Sequence, residues 1–321
     1  MNEFYLAMDL GGTSIKSALF TSDFSLVAEN RLETNAHEGA EIVLKRMILS
    51  LNQLLASSQI TPSQIKSLGV GVPGLLDRHA GISIFSPNFQ NWENVPVAAL
   101  LERELGIATF IDNDVRMNLY GECQFGSGQD KKNVVLLTLG TGLGAGVMID
   151  GNVLYGTTGS VGEIGHMNMY RQGRECRCGS SGCLGRYVSA LGLLRTVREK
   201  IQAGQQSILS EWVNHDLTQL TAQQVSKAYD EKDSVALAAF KETGEILGFG
   251  LANVINLYNP ETIIIGGGMS AAGERLLATT RETVSAHALQ LSQATCNIVL
   301  ASLGDAAGMY GAAFYAKRES S

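Results

Sequence analysis

The stretch from Gly159 to Gly185 concentrates the unusual chemistry of this chain. Cys176, Cys178 and Cys183 form a C-x-C-x4-C run, and His166 stands ten residues upstream of its first cysteine. Three thiols and one imidazole are the ligand set of a four-coordinate structural zinc site, because Zn²⁺ prefers tetrahedral sulfur and nitrogen ligation and closes its shell with protein where no reaction occurs at the metal. Glycines at 173, 179 and 182 let the backbone turn tightly enough for the thiolates to converge. Clustered cysteines also suit a disulfide or simple apolar burial. Three of the five cysteines fall within eight residues, in a sequence without a secretory signal, which favours zinc. Cys123 and Cys296 read as ordinary core thiols.

Two glycine turns offer a second kind of chemistry. Residues Phe4 to Met8 are apolar, Asp9-Leu10-Gly11-Gly12-Thr13 follows, and a second apolar run extends from Ile15 to Phe20. The pattern is strand, glycine turn, strand. Adjacent glycines and a small hydroxyl residue leave backbone N–H groups free for an anion, and an acidic residue beside a phosphate commonly holds Mg²⁺. A plain hairpin turn is the alternative. The pattern returns 129 residues later, where Val134 to Leu139 leads through Gly140-Thr141-Gly142 into Ala145 to Ile149. Such an internal repeat points to two related domains, each with one phosphate-binding turn. A third site, Gly266-Gly267-Gly268, lies between the strand-like Glu261 to Ile265 and a helix. It allows close approach of a nucleotide's base and ribose, without the spacing of a dinucleotide fingerprint.

Asp112-Asn113-Asp114 provides a candidate base. These residues follow the short strand-like Thr109 to Ile111 and precede a helical stretch from Val115 to Cys123. One polar residue is enough to cap that helix. The others stand where ligands bind in open α/β sheets, at a strand's C-terminal end, and Asp114 is the candidate general base. Upstream, Ser67 to Val72 runs into a turn at Pro73-Gly74, followed by an amide-rich loop from Ser86 to Trp92 that suits a hydroxyl-rich ligand.

The elements that must position these groups are legible in outline. Glu41 to Leu55 has helical apolar spacing, and residues 187–258 read as mostly helical. The longest segment there, Ser234 to Tyr258, stops before Asn259-Pro260. The small residues of Gly304 to Ala313 suit a closely packed helix. At 321 residues, two domains are expected. A net charge of −7 with no basic run argues against nucleic acid as a partner. The apolar runs are too short and interrupted to span a membrane. The N-terminal residues carry no basic leader pattern, so cytoplasmic residence with reduced thiols is expected.

Taken in order, Asp9 to Thr13, Asn113-Asp114, Leu139 to Gly142, Glu163-Ile164-Gly165-His166, the cysteine run and Ile265 to Gly268 resemble the ROK family of bacterial sugar kinases, repressors and related open reading frames. The resemblance covers nearly the whole chain and implies a two-domain actin-like ATPase (ribonuclease H-like) α/β fold with an interdomain cleft. It implies a small N-terminal α/β domain over 1–115, completed by a C-terminal helix over 305–321, and a large α/β domain with the zinc motif over 116–304. In such kinases the aspartate matching Asp114 takes the proton from a sugar's primary hydroxyl, usually on C6, as that oxygen attacks the γ-phosphate of ATP. Asp9 would lie near Mg²⁺; Asn113, Glu163 and His166 would bind sugar hydroxyls; Gly74 and Asn88 match positions near the sugar. Family members are commonly homodimers, sometimes homotetramers.

One position departs from the pattern. Two residues after the last cysteine the family normally has a glutamate that accepts hydrogen bonds near the sugar's C1 and C2; here Gly185 stands there, followed by Arg186. Three readings follow: a pocket widened for a sugar altered at C1 or C2, replacement by Arg186 or water, or a weak kinase retained for sensing. Repressors of the family carry a helix-turn-helix domain before the phosphate motif, which here begins at Asp9. The resemblance therefore points to an ATP-dependent hexose kinase, for instance of glucose or an N-acetylhexosamine. The alternative is a sugar-sensing regulator without a DNA-binding domain and with little kinase activity.

His166 would place one ring nitrogen on zinc and turn the other toward a sugar hydroxyl, so that the metal orients a substrate-binding residue. Stripping zinc with a chelator should then weaken sugar binding in calorimetry while the protein stays folded by circular dichroism. Unchanged sugar affinity in the folded, metal-free protein would refute this role.

Overall fold

The computed structural model describes residues 3–86 and 89–321. The first apolar run forms β1 (Phe4–Leu10), whose glycine turn closes an antiparallel hairpin with β2 (Ser14–Thr21), and β3 (Leu26–Glu33) extends it. Helix α1 (Ala40–Ser58) buries Val43, Met47, Leu51 and Leu54 at helical spacing. It leads to β4 (Ile65–Val72), which pairs in parallel with β1. A small antiparallel sheet of β5 (Leu75–Asp77), β6 (Ile82–Phe85) and β7 (Glu93–Val95) and helix α2 (Val97–Leu105) come next. Then β8 (Thr109–Asn113) adds in parallel to β4, and α3 (Asp114–Phe125) starts directly at its end.

A second sheet opens with the hairpin of β9 (Val134–Leu139) and β10 (Leu143–Ile149), followed by β11 (Asn152–Val153). Beyond the cysteine stretch come α4 (Gly185–Val188), α5 (Ala190–Gln202), α6 (Ile208–Trp212), α7 (Ala222–Asp230) and α8 (Ser234–Tyr258). The last of these has the bounds its apolar pattern indicates, capped by Asp233 and ended by Asn259 in the left-handed conformation. β12 (Thr262–Gly266) pairs in parallel with β9; α9 (Glu274–His287), α10 (Gln290–Thr295), β13 (Asn297–Leu300) and α11 (Ala307–Glu319) complete the chain.

Among the described residues the two larger sheets have orders β3-β2-β1-β4-β8 and β11-β10-β9-β12-β13. These are one plan used twice: three antiparallel-side strands with the first innermost, then two strands parallel to it. Each glycine turn joins the first and second strand of its sheet, so the sequence repeat is a repeat of topology.

The chain divides into two compact units. One comprises residues up to Asp130 with Val153–Val161 and Ser302–Ser321; the other comprises Lys131–Asn152 and Gly162–Ala301. A boundary at 115 would separate α3 from the first unit. It belongs there because it packs on α11 with almost no side chain between them: a Cβ on Gly311 would lie 1.7 Å from the Met117 carbonyl oxygen. The first unit's core is built from Leu6, Met8, Leu10, Ile15 and Leu19 of the sheet against the apolar face of α1. Cys123 is buried as expected, whereas Cys296 is only half-buried. No helix among the described residues is long and apolar enough to cross a membrane.

Gly311→Ala should force α11 off α3 and destabilise the protein by about 1–3 kcal/mol, the usual range for overpacking. Urea unfolding of the variant beside the wild type measures this, and equal midpoints would show that the helices can part at no cost.

Candidate functional site

Strand register assembles the first group of candidates. Asp9 on β1 pairs with Gly71 on β4, and Gly71 pairs with Asp112 on β8, so the C-terminal ends of three parallel strands are level. The middle position has no side chain, and a Cβ there would approach the Asp114 Cα to 3.4 Å. Asp114 begins α3 immediately beyond this row. Its residue keeps a partly open face, but burial of the carboxyl, reinforced by the charge of Asp9, pushes it up to about 7. Burial also raises the Asp9 carboxyl; Lys16, directly opposite on β2, lowers it, and Asp305 raises it. Two buried carboxyl groups, the charge of Asp9 raising Asp114, form a donor set suited to a divalent cation.

The Asp9 to Thr13 turn is closed by Gly11 N–H donating to Ser14 O at 3.0 Å. Thr34 clamps it, its hydroxyl donating to Gly11 O at 2.6 Å and its N–H to Thr13 O at 2.9 Å. Gly12 and Thr13 are left on the wall of a cavity of about 600 Å³ that Glu33, Asn35, His37 and Gln90 also line.

Asn113 carries the cap of α3: its Oδ1 accepts from Val115 N–H at 3.0 Å and Arg116 N–H at 3.4 Å. Its Nδ2 donates to Gly74 O at 3.3 Å, which joins two candidate sugar positions. Gly74 has φ +97° and lies so close to Phe85 that a Cβ would sit 2.1 Å from that carbonyl oxygen. Asn88 lies outside the described residues.

In the second unit, Glu163 and His166 stand on one 3₁₀ turn, Glu163–His166, laid on β10 with Ile164 as its buried anchor. Both side chains are about half exposed, and His166 Nε2 lies 3.7 Å from a Glu163 oxygen. The other ring nitrogen, Nδ1, lies 3.7 Å from Cys176 Sγ, and Cys178 Sγ lies 3.7 Å from Cys183 Sγ. All four ligand atoms fall within 4.8 Å of one another. A zinc tetrahedron with Zn–S of about 2.3 Å has edges of about 3.7 Å, so the geometry fits the metal. A hydrogen bond from Ser180 N–H lowers the Cys178 thiol to about 7, while burial raises that of Cys183 to about 12; a dication among them would favour the thiolate form of each.

Backbone bonds hold the ligand loop, including Cys176 N–H to Ser180 O at 2.9 Å and Gly182 N–H to Arg174 O at 2.9 Å. The nearly buried Arg174 ties the loop to α5 through Glu199 at 2.6 Å and Thr196 at 2.8 Å. Gly185 rests at the foot of the Glu163–His166 turn, where an added Cβ would lie 3.3 Å from Leu143 Cβ and 3.4 Å from Gly165 O. Arg186 points elsewhere: its Nε donates to Glu175 O at 2.9 Å in the cysteine loop.

The other two glycine turns meet within this unit. Gly140 N–H donates to Gly142 O at 2.9 Å to close the turn around Thr141, and Gly266 pairs with Thr138. Gly267, at φ +78°, packs against Leu139 so tightly that a Cβ would lie 2.6 Å from its carbonyl oxygen. Gly268 then starts a 3₁₀ turn before α9. Sequence reasoning passed over Lys16, whose signal was its cross-strand position opposite Asp9. It also passed over the buried partners of Asp112, which no local pattern reveals.

The chain is 33% identical over 320 residues to a glucokinase of Halalkalibacterium halodurans, covering 99% of this chain and 96% of that one. It superposes with TM-score 0.83 and 27% identity on a ROK family glucokinase from Streptomyces griseus in complex with glucose and AMPPNP, covering 98% and 99% of the two chains. A ROK family transcriptional regulator, a homolog of the E. coli MLC protein, gives TM-score 0.86 at 29% identity, covering 97% of this chain and 76% of that one. The fold is accordingly the actin-like ATPase fold of the ROK kinases. The ROK family model matches residues 5–319, and with nearly its whole length matched the chain belongs to the ROK family.

Proposed function

We propose that the chain is an ATP-dependent hexose kinase that transfers the γ-phosphate to the primary hydroxyl, O6, of glucose or a hexose derivative such as an N-acetylhexosamine. The observation that carries this reading is the Asp114 carboxyl, held at the end of the sheet beside Asp9 with a proton affinity lifted to about 7. A sugar hydroxyl is a poor nucleophile, and a base of that strength suits removal of its proton near neutral pH. The likeness to a glucokinase along 99% of the chain supports the same reading.

In this mechanism Asp114 accepts the O6 proton as the O6–phosphorus bond forms and the bond from the γ-phosphorus to the bridging oxygen breaks, releasing ADP. The turns at Gly11-Gly12-Thr13 and Gly140-Thr141-Gly142 supply N–H groups to the phosphates, and Gly266-Gly267-Gly268 supports the base and ribose. Asp9 would hold Mg²⁺, which when bound neutralises charge on the transferring phosphoryl group. Asn113, Glu163 and His166 orient sugar hydroxyls, and Gly74, bonded to Asn113, stands with them; the family resemblance adds Asn88 as a sugar position. Cys176, Cys178, Cys183 and His166 would hold structural Zn²⁺. Gly185 opens the space that a glutamate would fill and favours a sugar altered at C1 or C2; with Arg186 bound to the cysteine loop, water is left to meet hydroxyls there. The protein acts in the cytoplasm as a homodimer or homotetramer.

The test is ADP release from Mg·ATP across glucose, mannose, allose, N-acetylglucosamine, N-acetylmannosamine and a β-glucoside. Turnover of one or more is expected, with Asp114→Asn at least about 100-fold slower on the best substrate. A folded, zinc-replete protein silent on all of them favours the sensor reading, consistent with the likeness to a ROK regulator.

The pH profile follows from the same group. Catalysis needs the carboxylate, so kcat/KM should climb through about pH 7 and stand about 100-fold lower at pH 5 than on its plateau. The folded-state value is raised above the ordinary 3.8, so the native protein loses stability as pH rises from about 4 to about 7. Asp114→Asn should therefore melt higher than the wild type at pH 8, with the difference vanishing near pH 4. A flat rate profile or an equal melting temperature at pH 8 would remove Asp114 from this role.

A further inference from the structure

Asp112 has no exposed surface, yet it neighbours the two residues closest to the chemistry. Burying a carboxylate costs several kcal/mol unless charge and hydrogen bonds compensate it. Here Oδ1 accepts from Asn113 N–H at 2.7 Å and from Arg116 Nε at 2.7 Å, and Oδ2 accepts from the Tyr155 hydroxyl at 2.8 Å. Tyr155 lies 2.9 Å from the Tyr120 hydroxyl, to which Arg318 donates at 3.2 Å. Since Tyr155 gives its proton to Asp112, Tyr120 gives its own to Tyr155, and a chain of donors runs from Arg318 to the carboxylate. The Tyr155 ring is flanked by the guanidinium groups of Arg78 at 4.1 Å and Arg116 at 5.0 Å.

Arg116 also reaches in a second direction, its Nη1 donating to Gly159 O at 2.9 Å. Buried ion pairs can often be replaced by apolar residues without loss of stability, so stability alone does not account for this one. Its effect is geometric. One planar guanidinium is bonded to the carboxylate that grips the Asn113 N–H and to the segment Val153–Val161.

We propose that Arg116 is a positioning residue for phosphoryl transfer. Holding Asp112 against the Asn113 N–H and the Gly159 carbonyl at once, it sets the corner from which Asp114 projects. The inference rests on the kinase reading above. A base displaced by about 1 Å loses about 100-fold in rate while the ligands still bind.

The experiment measures kcat, the KM for sugar and for ATP, and the melting temperature for Arg116→Met, Arg116→Lys and Tyr155→Phe. Arg116→Met should lower kcat about 30-fold with both KM values within about threefold of the wild type. Arg116→Lys, which returns a cation to Asp112, should recover kcat to within about fivefold of the wild type. Tyr155→Phe removes a single donor, is expected to fold, and should cost kcat about fivefold. Wild-type kcat in both Tyr155→Phe and Arg116→Met, or losses in the Met and Lys variants that simply follow the folded fraction, would overturn the proposal. If Arg116→Met does not fold, Tyr155→Phe decides alone. A wild type silent on every sugar overturns the kinase reading instead. Positioning is then judged by amide hydrogen exchange at Asn113 and Val115 in the folded variants, where faster exchange upholds it and unchanged protection overturns it.

Discussion

The alignment of three parallel strands is the constraint on which the first unit depends. Register places Asp9, Gly71 and Asp112 in one row, and because side chains alternate along a strand, a slip of one residue would turn each of them to the other face of the sheet. The row works only because its centre is glycine. A side chain at 71 would press on Met117 and on the Cα of Asp114, and so on the start of α3. The C-terminal helix guards the other side: Gly308 lies against the Asp9 carboxyl, and Gly311 brings α11 into backbone contact with α3. One sheet and two closely packed helices thereby hold two mutually repelling carboxyl groups in a corner where water is scarce.

The second unit solves a related problem with loops. Its glycine turns and cysteine stretch contain few apolar side chains, so backbone bonding and very close backbone approach give them shape. The two turns at 140–142 and 266–268 come together because β12 pairs with β9 and Gly267 packs on Leu139. The three cysteines of the candidate metal site stand on a loop already cross-linked to α5 through Arg174. His166 joins the two features, with one nitrogen among the sulfurs and the other beside Glu163. Metal and hydroxyl recognition would thus share a single imidazole, whose orientation each function constrains.

The same scaffold is found in a glucokinase and in a transcriptional regulator, so fold alone does not separate catalysis from sensing. Local chemistry favours catalysis. A binding module has no need of a carboxyl held near pH 7, and keeping one there lowers stability at neutral pH. Gly185 has Leu143 and the Glu163–His166 turn as its neighbours.

Much of this was legible in the amino-acid order, because several features are local. Adjacent glycines after an apolar run make a turn wherever they stand, a C-x-C-x4-C run keeps its thiols near one another, and the apolar pattern of α8 with Asp233 before it and Asn259 after it sets both ends of that helix. The repeated strand-turn-strand pattern pointed to two related domains, and the structure shows that each copy opens a sheet of the same plan. Other features depend on residues far apart in sequence. That α3 belongs with the first unit follows from α11, about 190 residues away. That Asn113 serves the helix cap as well as Gly74, that Arg186 is bound to Glu175, and that Asp112 is held by Tyr155 and Arg116 depend on contacts no local window contains. Sequence by itself determined which chemistry the chain carries, because residue type and short spacing decide that. Tertiary structure alone decided which of those groups are buried, paired and level with one another, because burial and register are properties of the packed whole.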